Sequence, residues 1–150
     1  MYNNIAYTSV FTHDEITGME FWAEGNIIKY RNSNTTSSWS QYTFTLVSGG
    51  AITSIFSYNN NIGLAISKTV GMYFTNYLAL GTFNGSSFSF SLVKTEQSQE
   101  ISMGGSVCGG EGYIYFVWIS PGENNLYRVQ AGQSNLETVR SNFSVGARLY

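Results

Sequence analysis

The stretch Ala51–Leu92, AITSIFSYNNNIGLAISKTVGMYFTNYLALGTFNGSSFSFSL, decides the fold class. Its short runs are rich in β-branched and aromatic residues, and residues with turn chemistry separate them. Asn59–Asn61 suits a turn because asparagine tolerates left-handed backbone geometry, and Asn84-Gly85 is a hairpin signal. Phe88–Leu92 alternates strictly between apolar and polar residues. The stretch therefore predicts a four-stranded antiparallel meander.

A Ser-Val or Ser-Ile phrase recurs along the chain at intervals of roughly 40 to 50 residues, a period typical of propeller blades. The copies are Ser9-Val10, Ser54-Ile55, Ser106-Val107 and Ser144-Val145. Strands are predicted near 5–12, 17–23, 26–31, 41–47, 51–58, 62–68, 70–80, 87–94, 100–108, 112–119, 124–130, 135–140 and 142–149. We expect one all-β domain over residues 1–150, with propeller-type four-stranded antiparallel meanders forming about three blades plus one strand. A β-sandwich or jelly roll is the alternative, because it also uses many short strands.

The composition excludes several classes of function. Only 11% of the residues are charged and the net charge is −2, so no basic stripe is present to bind nucleic acid. No apolar run is long enough for a membrane span, and the N-terminus lacks the pattern of a signal peptide. Localisation stays open between the cytoplasm and a surface or secreted location reached by another route. Cys108, the single cysteine, is expected to be a buried small hydrophobe.

The titratable residues give no catalytic or metal-binding pattern. His13-Asp14-Glu15 contains the only histidine and the only aspartate, and adjacent residues do not converge on one point, so we expect a solvated turn there. No glutamate lies in a recognisable acid–base motif. We therefore expect no enzymatic activity, no catalytic residue, no metal ligand and no cofactor.

The aromatic content points instead to ligand binding. Aromatic residues make up 16% of a chain that is rich in amides and poor in charge, which are the ingredients of a sugar site. Trp39 is the best surface candidate, because it follows the polar loop 32–38 rather than lying in an apolar run. Trp22 and Trp118 lie in apolar strands and are expected to be structural.

The segment Gly18–Trp22, followed by Gly25–Tyr30 and then Trp39, resembles one blade of the fucose-binding propeller lectins of fungi and bacteria. Tectonin-like propellers share the pattern, and Tyr113–Ile119 with Asn125–Arg128 is a looser second copy. In those lectins an arginine, a glutamate and the later tryptophan hold the sugar between blades, and short chains complete a ring by oligomerising. Only the tryptophan matches here, since Lys29 stands at the glutamate position and Met19–Phe21 contains no arginine.

These observations lead to the hypothesis of a non-enzymatic carbohydrate-binding lectin that builds a propeller from several chains. Trp39 would stack on the sugar, and the polar neighbours would bond its hydroxyls. The candidate ligand-binding residues are Trp39, Arg31, Asn34 and Tyr30. The expected partners are a glycan and a second copy of the chain, in a dimer that closes a six-bladed ring. The alternatives are a structural or receptor-binding surface or virion protein, and a fragment or engineered version of a larger propeller.

Overall fold

The computed structural model describes residues 10–35, 38–98, 104–120 and 123–142. Within these ranges the chain contains twelve strands and no helix. The strands are β1 Phe11–His13, β2 Met19–Glu24, β3 Ile27–Asn32, β4 Ser40–Thr43, β5 Ala51–Tyr58, β6 Asn61–Val70, β7 Tyr73–Phe83, β8 Phe88–Ser98, β9 Gly104–Gly110, β10 Tyr113–Ser120, β11 Glu123–Gln130 and β12 Glu137–Arg140.

The strands form three four-stranded antiparallel meanders, which we call sheets 1, 2 and 3 in chain order. Sheet 1 is β1-β2-β3-β4, sheet 2 is β5-β6-β7-β8 and sheet 3 is β9-β10-β11-β12. The prediction of an all-β fold built from such meanders is confirmed. The predicted strand 142–149, with its Ser144-Val145 copy of the phrase, lies outside the described residues, as does Ser9.

The first strands of the three sheets lie side by side and run in the same direction. Thr12 accepts a hydrogen bond from Ser57 N–H at 3.3 Å, and further along both strands Asp14 binds the turn after β5. Ser54 Oγ accepts from Val107 N–H at 3.0 Å, and the contact between neighbouring strands continues towards Gly109. The sheets therefore meet at their first strands, as propeller blades meet at the axis.

The two junctions between the sheets are packed by side chains of different size. Near the inner edge the contacts involve small residues: a Cβ on Gly63 would lie only 2.8 Å from Ile114 and Val107. At the outer edge, by contrast, aromatic rings fill the space between sheets 1 and 2. Tyr42 of β4 lies 4.7 Å from Phe88 of β8, between ring centroids. Close contacts at Gly63 therefore bring sheets 2 and 3 together near the inner strands, and aromatic rings pack sheets 1 and 2 together at the outer edge.

Two hydrophobic clusters join the three sheets, one between each pair of neighbouring sheets. Phe21 and Ile28 of sheet 1 pack with Ile62 and Leu64 of sheet 2 in the first cluster. The second cluster joins sheet 2 to sheet 3 and contains the fully buried Trp118. Sheet 2 is therefore covered on both faces, whereas the described residues cover sheets 1 and 3 on one face each.

The Ser-Val/Ile phrase is a structural repeat in sheets 2 and 3 but not in sheet 1. Ile55 packs in the cluster facing sheet 1, and Val107 packs in the cluster facing sheet 2, so both point towards the preceding sheet. Val10 packs in the cluster facing sheet 2, which is the following sheet. Because side chains alternate across a strand, this reversal of face means that the first copy is shifted by an odd number of residues relative to the other two.

Two expectations for single residues are wrong. Asp14 is 0% exposed rather than part of a solvated turn, because its carboxylate accepts five hydrogen bonds from two sheets; His13 and Glu15 on either side are exposed. Cys108 is exposed rather than buried, because no other sheet of the described chain covers its face of β9. Burial by its neighbours is nevertheless enough to raise the pKa of its thiol.

Candidate functional site

The uncovered face of sheet 1 carries two tryptophans and four charged residues. Phe21 and Ala23 point into the core, so their neighbours on β2 point the other way. Lys29 and Arg31 occupy the same face of β3, opposite Trp22 and Glu20. We call this surface the tryptophan face. Its members are Glu20, Trp22, Glu24, Lys29, Arg31 and Trp39.

The two indole rings meet edge to face. The centroids of Trp22 and Trp39 lie 6.0 Å apart with an interplanar angle of 66°. Arg31 Cζ lies 4.3 Å from the Trp39 ring centroid, and Lys29 Nζ lies 4.9 Å from the Trp22 ring centroid. Both are within the range of a cation–π contact, so each cation restrains one indole.

The charges of this face are paired across the two strands. Arg31 Nε donates to Glu20 Oε1 at 2.9 Å, and Lys29 Nζ lies 3.2 Å from Glu24 Oε2. All four side chains are at least partly exposed, so each pair contributes little to the stability of the fold. The pairing makes the face close to neutral while leaving carboxylate oxygens with unused acceptor capacity.

The structure places the four sequence-predicted residues in three different environments. Trp39 and Arg31 are in contact on the tryptophan face. Tyr30 lies on the opposite face of β3, where its ring centroid is 5.0 Å from that of Phe83, inside the junction of sheets 1 and 2. Asn34 is exposed in the loop after β3, and its side-chain amide lies against Gly18.

The tryptophan face also contains residues that sequence reasoning did not assign to the site. Trp22 is 36% exposed although it lies in an apolar strand, and Glu20 and Lys29 complete the charge pairs. The signal for Trp22 was the alternation of β2: if Phe21 and Ala23 are core residues, the residue between them must face away. Trp118 is fully buried as expected.

A second candidate is a cavity of about 220 Å³ between sheets 2 and 3. Its polar lining includes Asn61, Ser89, Gln130 and Gln133, and its apolar lining includes Leu80 and Ile114. No charged side chain lines it. In the other junction, rings of Tyr30, Tyr42, Phe83, Phe88 and Phe90 pack together between the outer strands. The junction of sheets 2 and 3 therefore contains this cavity where aromatic rings fill the junction of sheets 1 and 2.

A larger groove of about 730 Å³ opens where the inner strands begin. Small residues of β5 and β9, including Ala51 and Gly105, form part of its wall, and Trp22 and Glu24 form another part. The groove thus connects the start of the inner strands to one end of the tryptophan face.

The described residues contain no group of three or more His, Cys, Asp and Glu side chains that could hold a metal ion. They also contain no helix long and apolar enough to cross a bilayer. No protein-family model, curated protein or solved structure matches the chain. The case for a function therefore depends on the residues of this chain alone.

Proposed function

We propose that the protein is a non-enzymatic carbohydrate-binding protein, a lectin, whose main binding surface is the tryptophan face. The observation that carries the proposal is the pair of partly exposed indoles, Trp22 and Trp39, flanked by carboxylates and cations. Indole rings present a large apolar surface that stacks against the C–H groups of a pyranose. Charged and amide groups beside them bond the hydroxyls and fix the orientation of the sugar.

The charge pairs favour a neutral glycan as the ligand. Glu20 and Glu24 offset Arg31 and Lys29, so the face has no excess charge to attract a polyanion or a polycation. Each carboxylate keeps acceptor sites that a sugar hydroxyl can use, in addition to the bond that it makes with its cation. The cavity between sheets 2 and 3 supports the same ligand class, because amides and hydroxyls without charge line it.

We also propose that the protein acts as a homo-oligomer, most simply a dimer. Sheet faces with large exposed apolar residues mark interaction surfaces, and the uncovered faces of sheets 1 and 3 both carry aromatic side chains. A structural or receptor-binding surface protein is the second candidate function. The same two faces favour it, since they could also join copies into a long polymer.

A glycan array followed by titration of the best neutral glycan tests the lectin proposal. We expect Trp39→Ala and Trp22→Ala each to weaken binding about tenfold or more, which corresponds to about 1.4 kcal/mol. The matched control is Tyr73→Ala, which removes an exposed aromatic side chain from sheet 2. Circular dichroism would verify that each variant is folded. Absence of binding to every glycan, or unchanged affinity in Trp39→Ala, would contradict the proposal.

A further inference from the structure

The uncovered face of sheet 3 is the counterpart of the tryptophan face. Ile114, Phe116 and Trp118 point from β10 towards sheet 2, so the residues between them point away. Cross-strand pairing places neighbours from β9 and β11 on the same side. We call this surface the tyrosine face. Its members are Cys108, Tyr113, Tyr115, Val117, Leu126 and Arg128.

Both internal junctions of the chain join the same two kinds of face. We call the face of a sheet that points towards the next sheet in chain order its leading face, and the opposite face its trailing face. Since the inner strands are parallel and the sheets are neighbours in chain order, each junction packs the leading face of one sheet against the trailing face of the next. Sheet 3 has an uncovered leading face, the tyrosine face. Sheet 1 has an uncovered trailing face, the tryptophan face. Among the residues that the structure describes, one chain therefore leaves one surface of each kind unpaired.

The position of Cys108 shows where a following sheet would pack. Phe56 on β5 pairs with Gly63 of β6, and Cys108 on β9 pairs with Tyr115 of β10, so the two residues occupy equivalent places. The Phe56 ring lies against Gly109 of the following inner strand. The corresponding neighbour of Cys108 would be the inner strand of another sheet, and the described chain has no fourth sheet.

Each of the two faces carries an arginine that contacts an aromatic ring and binds a carboxylate. On the tyrosine face Arg128 Cζ lies 4.4 Å from the Tyr113 ring centroid, and Arg128 Nε donates to Glu137 at 2.8 Å. On sheet 1, Arg31 also contacts a ring, that of Trp39, and binds a carboxylate, that of Glu20, but this carboxylate lies on the second strand of the sheet rather than on the fourth. In both places the guanidinium is already bonded to a carboxylate, so closing the junction leaves no unpaired arginine.

We propose that the tyrosine face of one copy docks on the tryptophan face of a second copy. Each copy contributes one face of each kind, so two chains form two identical junctions and close a ring of six sheets. The inference deepens the self-association in the proposed function and does not depend on glycan binding. It adds that the partner's tyrosine face supplies the second wall of the site around Trp22 and Trp39.

Light scattering coupled to size-exclusion chromatography tests the junction. The chain has a mass of 16.6 kDa, and we expect a stable species of twice that mass. Trp22→Glu and Tyr115→Glu should each give monomers, because each places a charge in both junctions. An equimolar mixture of the two variants should restore a dimer-sized species, since one junction of that pair contains only native faces. Tyr73→Glu, on an exposed part of sheet 2, should leave the dimer intact.

Several results would overturn the inference. A monomeric wild-type protein at micromolar concentration would do so, as would failure of the two variants to pair when mixed. If only Tyr115→Glu disrupted the dimer, the interface would join two tyrosine faces and not the proposed pair. Polymers larger than the ring would contradict closure and favour the structural function. Circular dichroism of each variant separates loss of the junction from loss of folding.

Two readouts keep this test separate from that of the proposed function. The Cys108 thiol should react slowly with a maleimide in the wild-type dimer and at least tenfold faster in monomeric Tyr115→Glu; equal rates would place Cys108 outside the junction and overturn the inference. Glycan binding is measured independently. A monomeric protein that binds a glycan would contradict this inference and leave the lectin proposal standing. A dimer that binds no glycan would contradict the lectin proposal and leave this inference standing.

Discussion

Replacement of Asp14 should destabilise the fold more than any other change of a single charged side chain that we discuss. The carboxylate is fully buried and links sheet 1 to the first turn of sheet 2. Ser57 Oγ donates to it at 2.6 Å, and the backbone N–H groups of Asn60 and Asn59 donate at 2.8 Å and 3.1 Å. Two more N–H donors come from its own loop, at Ile16 and Thr17.

The expected magnitude follows from the donors that would lose their acceptor. Three of the five bonds cross between sheets, and each hydrogen bond to a charged group contributes about 1.5–3 kcal/mol. Water that enters the space left by the side chain can accept hydrogen bonds from these donors and so recover part of this free energy. We therefore expect Asp14→Ala to lower the free energy of unfolding by about 3–5 kcal/mol. Asp14→Asn should cost about 2–3 kcal/mol, because one oxygen remains while the amide faces hydrogen-bond donors.

The pH dependence of this contribution has a definite sign. Burial by itself would raise the pKa of Asp14, but the bonds from Ser57, Asn60, Thr17 and Ile16 outweigh burial and hold the pKa below its ordinary value. A carboxyl whose pKa is lower in the folded state stabilises the fold above the pKa of the unfolded chain, and this stabilisation is lost as the pH falls through the folded value. The difference between wild type and Asp14→Asn should therefore be constant from pH 5 to pH 8 and shrink below about pH 4.

Urea unfolding followed by tryptophan fluorescence, at several pH values, measures these differences. Glu15→Gln is the matched control, because it neutralises the adjacent carboxylate on an exposed side chain. Ser57→Ala completes a double-mutant cycle with Asp14→Asn, and a coupling of at least about 1 kcal/mol is expected for a shared bond. The reasoning is refuted if Asp14→Ala costs less than about 1 kcal/mol at pH 7, or if Glu15→Gln costs as much.

Two further substitutions test the packing between sheets 2 and 3 by urea unfolding. Gly109→Ala should lower the free energy of unfolding by about 1–3 kcal/mol, because the added Cβ would overlap an aromatic ring of sheet 2. The control Gly110→Ala should have little effect, because its Cβ would meet no atom within 4 Å. Equal urea midpoints for the two variants would contradict the close approach at Gly109. Trp118→Phe should cost about 2–4 kcal/mol, since the buried indole N–H donates to Glu96 at 2.8 Å. Trp22→Phe on the exposed face should cost less than about 1 kcal/mol, and a similar cost for both would contradict this assignment.

The strands could be predicted from sequence because their signals are local. Alternation, β-branched residues and turn asparagines mark the strands of sheet 2, and the predicted strand Ala51–Tyr58 begins and ends where the structure has β5. The third strand was predicted from Val70, but β6 continues through Val70 and the turn falls at Gly71-Met72. Gly71 has a φ of 59°, which suits a tight turn, and neighbouring aromatic residues obscured that signal.

The direction in which each face points could not be predicted, because it depends on which sheets are neighbours. Trp22 and Trp118 both lie in apolar strands, yet one is exposed on an uncovered face and the other is buried between two sheets. The recurring Ser-Val/Ile phrase also does not predict the face, since Val10 points towards the following sheet and Ile55 towards the preceding one. A dipeptide can mark an inner strand, but the strand pairing decides which face its residues occupy.

The same dependence explains why Asp14 looked like a surface residue. Its neighbours His13 and Glu15 are exposed, and the chain turns between β1 and β2 at this point, so the local pattern is that of a solvated turn. Three of the five donors to the buried carboxylate lie 43 to 46 residues away, in Ser57 and the turn that follows it. A polar residue whose partners lie in another repeat is invisible to local patterns. Asp14, the only aspartate of the chain, therefore connects sheets 1 and 2 through hydrogen bonds. Its replacement should destabilise the packing between these two sheets more than the packing of sheet 3.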